Sequence, residues 1–157
     1  MGSPSHRMDL ERAAPKAYRA MIRLDAAAHH DGLEPLLVEL VKTRASQING
    51  CAYCLDMHTK DARAAGETEE RLYLLAAWRE SPLFTPRERA ALALTESVTL
   101  LADTRVPDAA YDEAAAHFDE SELAALIWLI IVINAWNRVA VTTRMEPGHY
   151  QPATSSR

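Results

Sequence analysis

The chain has 157 residues, 48% of them hydrophobic and 25% charged, with a formal net charge of −5 and two cysteines. That length supports one domain with its own core, and the acidic balance leaves no basic footprint for nucleic acid. The longest apolar run, Leu123 to Ile133, falls short of the ~20 residues that a bilayer span needs, and no secretory leader pattern opens the sequence, so a cytoplasmic protein without nucleic-acid or membrane partners is expected.

Met1 to His6 reads as a flexible tail, and residues 1–8 are set apart from a domain over 9–146. The first helix starts near Pro15, a residue suited to a first turn, and runs through Tyr18, Met21, Ile22 and Leu24 toward Gly32. Pro35 opens a second helix whose stripe is Leu36, Leu37, Leu40, Val41 and Ile48, stopped by Gly50. The helix that follows carries both cysteines and ends at Gly66, a good left-handed cap. Thr68 caps the next one, with Leu72, Leu75 and Ala76 as its buried side. Thr85-Pro86-Arg87-Glu88 combines an N-cap, a proline at the first helical position and a capping-box glutamate. Pro107 opens a shorter helix around Tyr111 to Phe118, and the last runs from near Ser121 to about Arg144. Residues 147–157 form a polar tail that reads as loose. Period-two alternation is lacking, so the expected fold is all-α, a single helical domain of about seven helices.

The final helix is apolar on every side from Leu123 to Ile133, until Asn134 and Asn137 interrupt it. A helix apolar all round must be covered all round. It is therefore a central core helix, one side of which meets another subunit in a homo-oligomer.

The chemistry concentrates in Gly50-Cys51-Ala52-Tyr53-Cys54-Leu55-Asp56-Met57-His58. On a helix, Cys51, Cys54 and His58 stand at i, i+3 and i+7 and share one face with Leu55, Ala62 and Ala65, while Asp56, Lys60 and Arg63 point away. Gly50 breaks the preceding helix and puts the thiols in a first turn, where free N–H groups and the helix dipole favour thiolate. His58, one turn beyond Cys54, can take the thiol proton. Peroxide would oxidise one thiolate to a sulfenic acid, the second cysteine would condense with it to a disulfide, and an external dithiol would reopen that bond. Other readings of the pair are two ordinary buried cysteines and a structural zinc site with His29, His30 or His117 as a further ligand. Haem attachment is excluded because Leu55 follows Cys54, and a thioredoxin-type site is disfavoured without strands. Glu39, beside Lys42 and off the apolar stripe, reads on its own as a solvated charge.

Glu39, followed by Cys51-Ala52-Tyr53-Cys54 and His58, resembles the signature of the alkylhydroperoxidase D-like branch of the carboxymuconolactone decarboxylase-like family. Ile133 to Val141 is similar to the C-terminal helix of that branch, and the likeness is strongest over residues 36–65. The resemblance implies an all-helical protein assembled as trimers or hexamers. It also implies reduction of a hydroperoxide without haem, metal or other cofactor. Cys54 would be the attacking thiol, and Cys51 the more accessible partner that resolves it, forms the redox-active disulfide and meets the reductant. Glu39 and His58 would relay the proton, and the reductant would be lipoyl-type or a peroxiredoxin partner. Tyr53 stands where the family's best-known members carry a histidine, and a phenol is a poorer base near neutral pH. Two alternatives accompany this reading: a carboxymuconolactone decarboxylase-like non-redox enzyme, which has no need of a dithiol, and a non-enzymatic, redox-sensing oligomeric protein.

Overall fold

The computed structural model describes residues 5–28 and 32–153, and among these there are helices and no strand. In chain order the helices are α1 (Leu10–Ala13), α2 (Pro15–Ala28), α3 (Pro35–Ile48), α4 (Ala52–Ala64), α5 (Glu69–Leu74), α6 (Pro86–Thr99), α7 (Leu101–Thr104), α8 (Asp108–His117) and α9 (Glu120–Thr143), with a 3₁₀ segment at Leu75–Glu80. All seven expected helices are present. The two additions, α1 and α7, are single turns of four residues each, too short to leave a periodic pattern.

Local signals account for the boundaries. Thr85 and Glu88 form the reciprocal capping box that starts α6, Thr68 Oγ1 accepts from Arg71 N at the start of α5, and Gly66 takes φ 102° after α4. Asp119 and Glu122 form a second capping box that starts α9. The Leu72–Ala76 side of α5 differs from expectation: Leu75 is buried, Leu72 half-buried and Ala76 exposed. The chain passes there into the 3₁₀ segment, which is kinked at Ala77 (φ −117°, ψ 29°), and Leu75 and Trp78 on either side of the kink are both buried.

The core forms where α3, α6, α8 and α9 meet, through Leu37, Val41, Ala91, Leu94, Phe118, Leu126 and Ile130. A second cluster of Leu40, Leu75, Trp78, Phe84 and Leu92 seals the other side of α3 and α6. Ten side chains of α9 are buried inside the chain, which fits a central helix. Its full 24 residues are long and apolar enough to cross a membrane by length and composition alone, with half of its most apolar window buried in the fold. Trp128 and Ile131 remain exposed on it.

The two asparagines that interrupt the apolar run are buried and tie α9 to the end of α3. Asn49 Nδ2 donates to Asn134 Oδ1 and to Asn137 Oδ1, both at 2.9 Å. Asn137 Nδ2 donates to Ser46 Oγ at 3.0 Å, and Ser46 Oγ donates to the Lys42 carbonyl at 2.7 Å. The turn Asn49–Gly50 is thereby held against α9, and Gly50 (φ 63°) reverses the chain into α4.

The C-terminal segment is docked where a loose tail was expected. Gly148 N donates to Asp56 Oδ2 at 2.9 Å, Lys60 Nζ to the Tyr150 carbonyl at 3.0 Å, and Tyr150 Oη to Asp61 Oδ1 at 2.6 Å. Near the other end of the chain, Arg7 N donates to the Thr143 carbonyl at 2.8 Å.

Candidate active site

The site is built on the first two turns of α4. Cys51 is the N-cap of that helix, and its sulfur accepts from Cys54 N at 3.2 Å, taking the place that a serine or aspartate oxygen usually fills. Cys51 and Cys54 are joined as a disulfide. As the helical spacing predicts, Cys51, Cys54, His58 and Ala62 face inward, whereas Leu55 is half-buried and Ala65, just past the helix, is exposed.

His58 Nδ1 donates to Glu39 Oε2 at 3.0 Å across the α3–α4 contact. The other oxygen of Glu39, Oε1, lies 3.9 Å from Lys42 Nζ, one turn along α3. Glu39 is therefore part of an enclosed charge chain rather than the solvated surface group that its place off the apolar stripe suggests. With Nδ1 held by the carboxylate, Nε2 is the nitrogen left to accept a proton. Cys54 stands one turn before His58 on the same face, within the reach of an i, i+4 pair.

A cavity of about 180 Å³ opens at this point, lined by Cys54, His58, Met57, Ile133, Trp136 and Lys42 among others. Tyr18 stands edge-on to Trp136 with ring centroids 5.5 Å apart. Tyr53 is half-buried and borders the cavity. The lining is mainly apolar with a few polar groups, His58 and Lys42 among them, the usual arrangement for a small organic ligand. Both cysteines are enclosed, Cys51 at 1% exposure and Cys54 at 4%. The greater accessibility expected of Cys51 is not found: Met145 and Ala140 pack over the pair.

Asp61, Tyr150 and Met145 belong to the site and carried no motif. Donor atoms of Glu39, His58 and Asp61 lie within 4.8 Å of one another, a set of one imidazole and two carboxylates that could hold a cation. Tyr150 caps Asp61, and its phenol is pushed up to about 12 by burial first and then by the hydrogen bond to that carboxylate. The asparagine that positions the Gly50 turn, Asn49, was likewise unmarked. The one available signal was Asn134 and Asn137 themselves, polar residues inside an apolar helix. Of the zinc candidates, His29 and His30 lie outside the described residues. His117 sits at the end of α8 beside Glu113, and the cysteine sulfurs are committed to each other.

The family profile that matches residues 15–97 is that of the carboxymuconolactone decarboxylase family. The protein YdfG of Bacillus subtilis is 42% identical over 137 residues, covering 87% of this chain and 93% of its own. A crystal structure from Agrobacterium tumefaciens, of a protein of unknown function proposed as an antioxidant defence protein AhpD, superposes with a TM-score of 0.89. It is 40% identical and covers 93% of this chain and 100% of its own. A peroxidase-related protein from Ralstonia eutropha with an alkylhydroperoxidase AhpD core shares the fold at a TM-score of 0.77 and 22% identity, over 88% of this chain and 74% of its own.

Proposed function

The chain belongs to the carboxymuconolactone decarboxylase family, and from that premise we propose that it is a thiol-dependent hydroperoxide reductase of the AhpD-like kind. The observation that carries this reading is the placement of Cys54 at a helix N-terminus, one turn from an imidazole whose far nitrogen is held by Glu39 at 3.0 Å.

In the reduced protein, His58 accepts the Cys54 proton and the first-turn N–H groups favour the thiolate. The sulfur attacks the outer oxygen of the hydroperoxide, and the O–O bond breaks. The alkoxide leaves with the proton that His58 held, and Cys54 becomes a sulfenic acid. Cys51 then attacks Cys54, water departs, and the disulfide state results. Glu39 keeps the imidazole in one tautomer and stabilises its charged form, and Lys42 holds the second carboxylate oxygen. Tyr53 lines the cavity without serving as a base. The external reductant is a dithiol, of lipoyl type or presented by a peroxiredoxin partner. The protein works in the cytoplasm as a homo-oligomer, a trimer or a hexamer.

Single-turnover oxidation tests the reading. Fully reduced protein mixed with one equivalent of hydrogen peroxide or cumene hydroperoxide should lose both thiols of each chain, and dihydrolipoamide should restore them. Cys54→Ser should abolish peroxide consumption, and Cys51→Ser should stop after one turnover as a sulfenic acid. Thiols that stay reduced under millimolar peroxide would sink the proposal.

A further inference from the structure

Trp136 stands on the face of α9 that meets the dithiol. Ile133, Trp136 and Ala140 recur at i, i+3 and i+7, and all three line the 180 Å³ cavity with Cys54 and His58. Two sets of contacts fix the place of the indole. Asn134 and Asn137, on either side of it in the sequence, both accept from Asn49 Nδ2, which registers α9 against the turn leading into Cys51. The Tyr18 ring then stands edge-on to the indole.

The Trp136 Nε1 atom is buried, yet it has no hydrogen-bond acceptor among the described residues. Trp78, the other tryptophan packed into the fold, donates from Nε1 to Glu96 Oε1 at 2.8 Å. An indole nitrogen can only donate, and a buried donor without an acceptor has given up its water for nothing in return. Such an orphan at the wall of a reaction cavity calls for an acceptor that arrives with the ligand.

We propose that Trp136 is a catalytic residue of this site: its indole N–H donates to the inner oxygen of a bound organic hydroperoxide and stabilises the alkoxide as it leaves. The assignment rests on the peroxidase reading above and adds to it the group that receives the leaving oxygen.

The charge to be stabilised moves during the reaction. Cys54 Sγ bonds to the outer oxygen, which keeps its hydrogen, and the electron pair of the broken O–O bond passes to the inner oxygen. The sulfur is oxidised to a sulfenic acid and the peroxide is reduced to an alkoxide. His58 supplies the proton that turns the alkoxide into an alcohol, while Trp136 keeps its own hydrogen throughout and acts as a fixed dipole. The inner oxygen of the intact peroxide is a weak acceptor and the departing alkoxide a strong one, so the bond tightens toward the transition state. In an enclosed and mainly apolar cavity a donor already in place needs no reorganisation to do this. The need depends on the leaving group. An alkoxide concentrates its charge on one oxygen, whereas the carboxylate released by a peroxy acid spreads the charge over two and leaves without help.

That dependence supplies the test. Reduced wild type and Trp136→Phe, a change that keeps a ring beside Tyr18 and removes the N–H, are oxidised in stopped flow by cumene hydroperoxide and by peroxybenzoic acid. The rate constant should fall roughly thirtyfold with cumene hydroperoxide and less than about threefold with peroxybenzoic acid. Equal losses with the two oxidants, or no loss with either, would overturn the role of Trp136 and leave the peroxidase reading standing. A second measurement follows the indole itself in ¹⁵N-labelled wild-type protein, with the Trp136 side-chain resonance assigned from the backbone of α9. Its N–H proton should move downfield when cumyl alcohol, the reaction product, is added, and a resonance that stays in place would equally overturn the role. If Trp136→Phe lacks the wild-type circular dichroism spectrum, Trp136→Leu replaces it, and if neither folds the wild-type resonance decides. A wild-type protein that consumes neither oxidant would refute the peroxidase reading. The resonance would then still decide whether Trp136 donates to an oxygen ligand in this cavity: a downfield shift upholds the donor, and no shift rejects it.

Discussion

At the scale of single residues, the Glu39 carboxylate divides its oxygens between the His58 imidazole at 3.0 Å and the Lys42 ammonium at 3.9 Å. If the imidazolium stabilises the Cys54 thiolate, removing it should move the alkylation rate of that thiol to higher pH. On a Cys51→Ser background, where one thiol reports, His58→Ala should shift the iodoacetamide profile upward by about one pH unit. Glu39→Gln should shift it in the same direction by less, because it weakens the imidazolium without removing it. A profile that neither change moves would take the pair out of the mechanism. Cys51, Cys54 and His58 could be placed from spacing alone because a helix turns in a fixed period. Glu39 could not, since its partner lies on another helix, and only the family resemblance pointed to it. Asp61 and Tyr150 meet by tertiary docking 89 positions apart, a separation that leaves no local pattern.

At the scale of elements, α6 is fastened by Glu96, which accepts from Trp78 Nε1 at 2.8 Å, Arg44 Nε at 3.0 Å and Arg79 Nη2 at 2.8 Å. One carboxylate thus links α6 to α3 and to the 3₁₀ segment. Burial alone would push this carboxyl up, but the bonds from Arg79, Trp78 and Arg44 outweigh it and hold the group below its ordinary value. A carboxylate so depressed contributes stability above its unfolded pKa and loses it as pH falls through the folded value. Glu96→Gln should therefore cost about 1–2 kcal/mol at neutral pH, and thermal melts of variant and wild type should converge as pH is lowered below the ordinary carboxylate range. A difference that persists in acid would mean that packing rather than charge is responsible. The helices themselves were legible because proline, threonine and glycine mark their ends. The 3₁₀ segment at Leu75–Glu80, with its kink at Ala77, was not, since no proline or glycine marks it.

At the scale of the whole molecule, α9 runs through the chain's core yet leaves Trp128 at 49% and Ile131 at 41% exposure on one side. Such an exposed apolar pair on a helix whose other face lies in the core is suited to cover by a second copy. Analytical ultracentrifugation of the wild-type protein should give the mass of a trimer or hexamer, and Trp128→Glu should yield smaller species. A wild-type monomer would refute the assembly. The all-round apolar composition of α9 showed that the helix needed covering; which side stays open depends on how α3, α6 and α8 arrange themselves around it.

The cover over the dithiol also has a history within each molecule's own synthesis. The dithiol helix ends at Ala64, whereas Met145 and the residues through Tyr150 that overlie it are translated roughly 80 residues later. At ~5–20 residues per second that is an interval on the order of ten seconds. During it the nascent thiols are without their lid, open to whatever oxidants and small thiols surround the ribosome, so newly made chains meet the redox state of the cell before they are able to act on it.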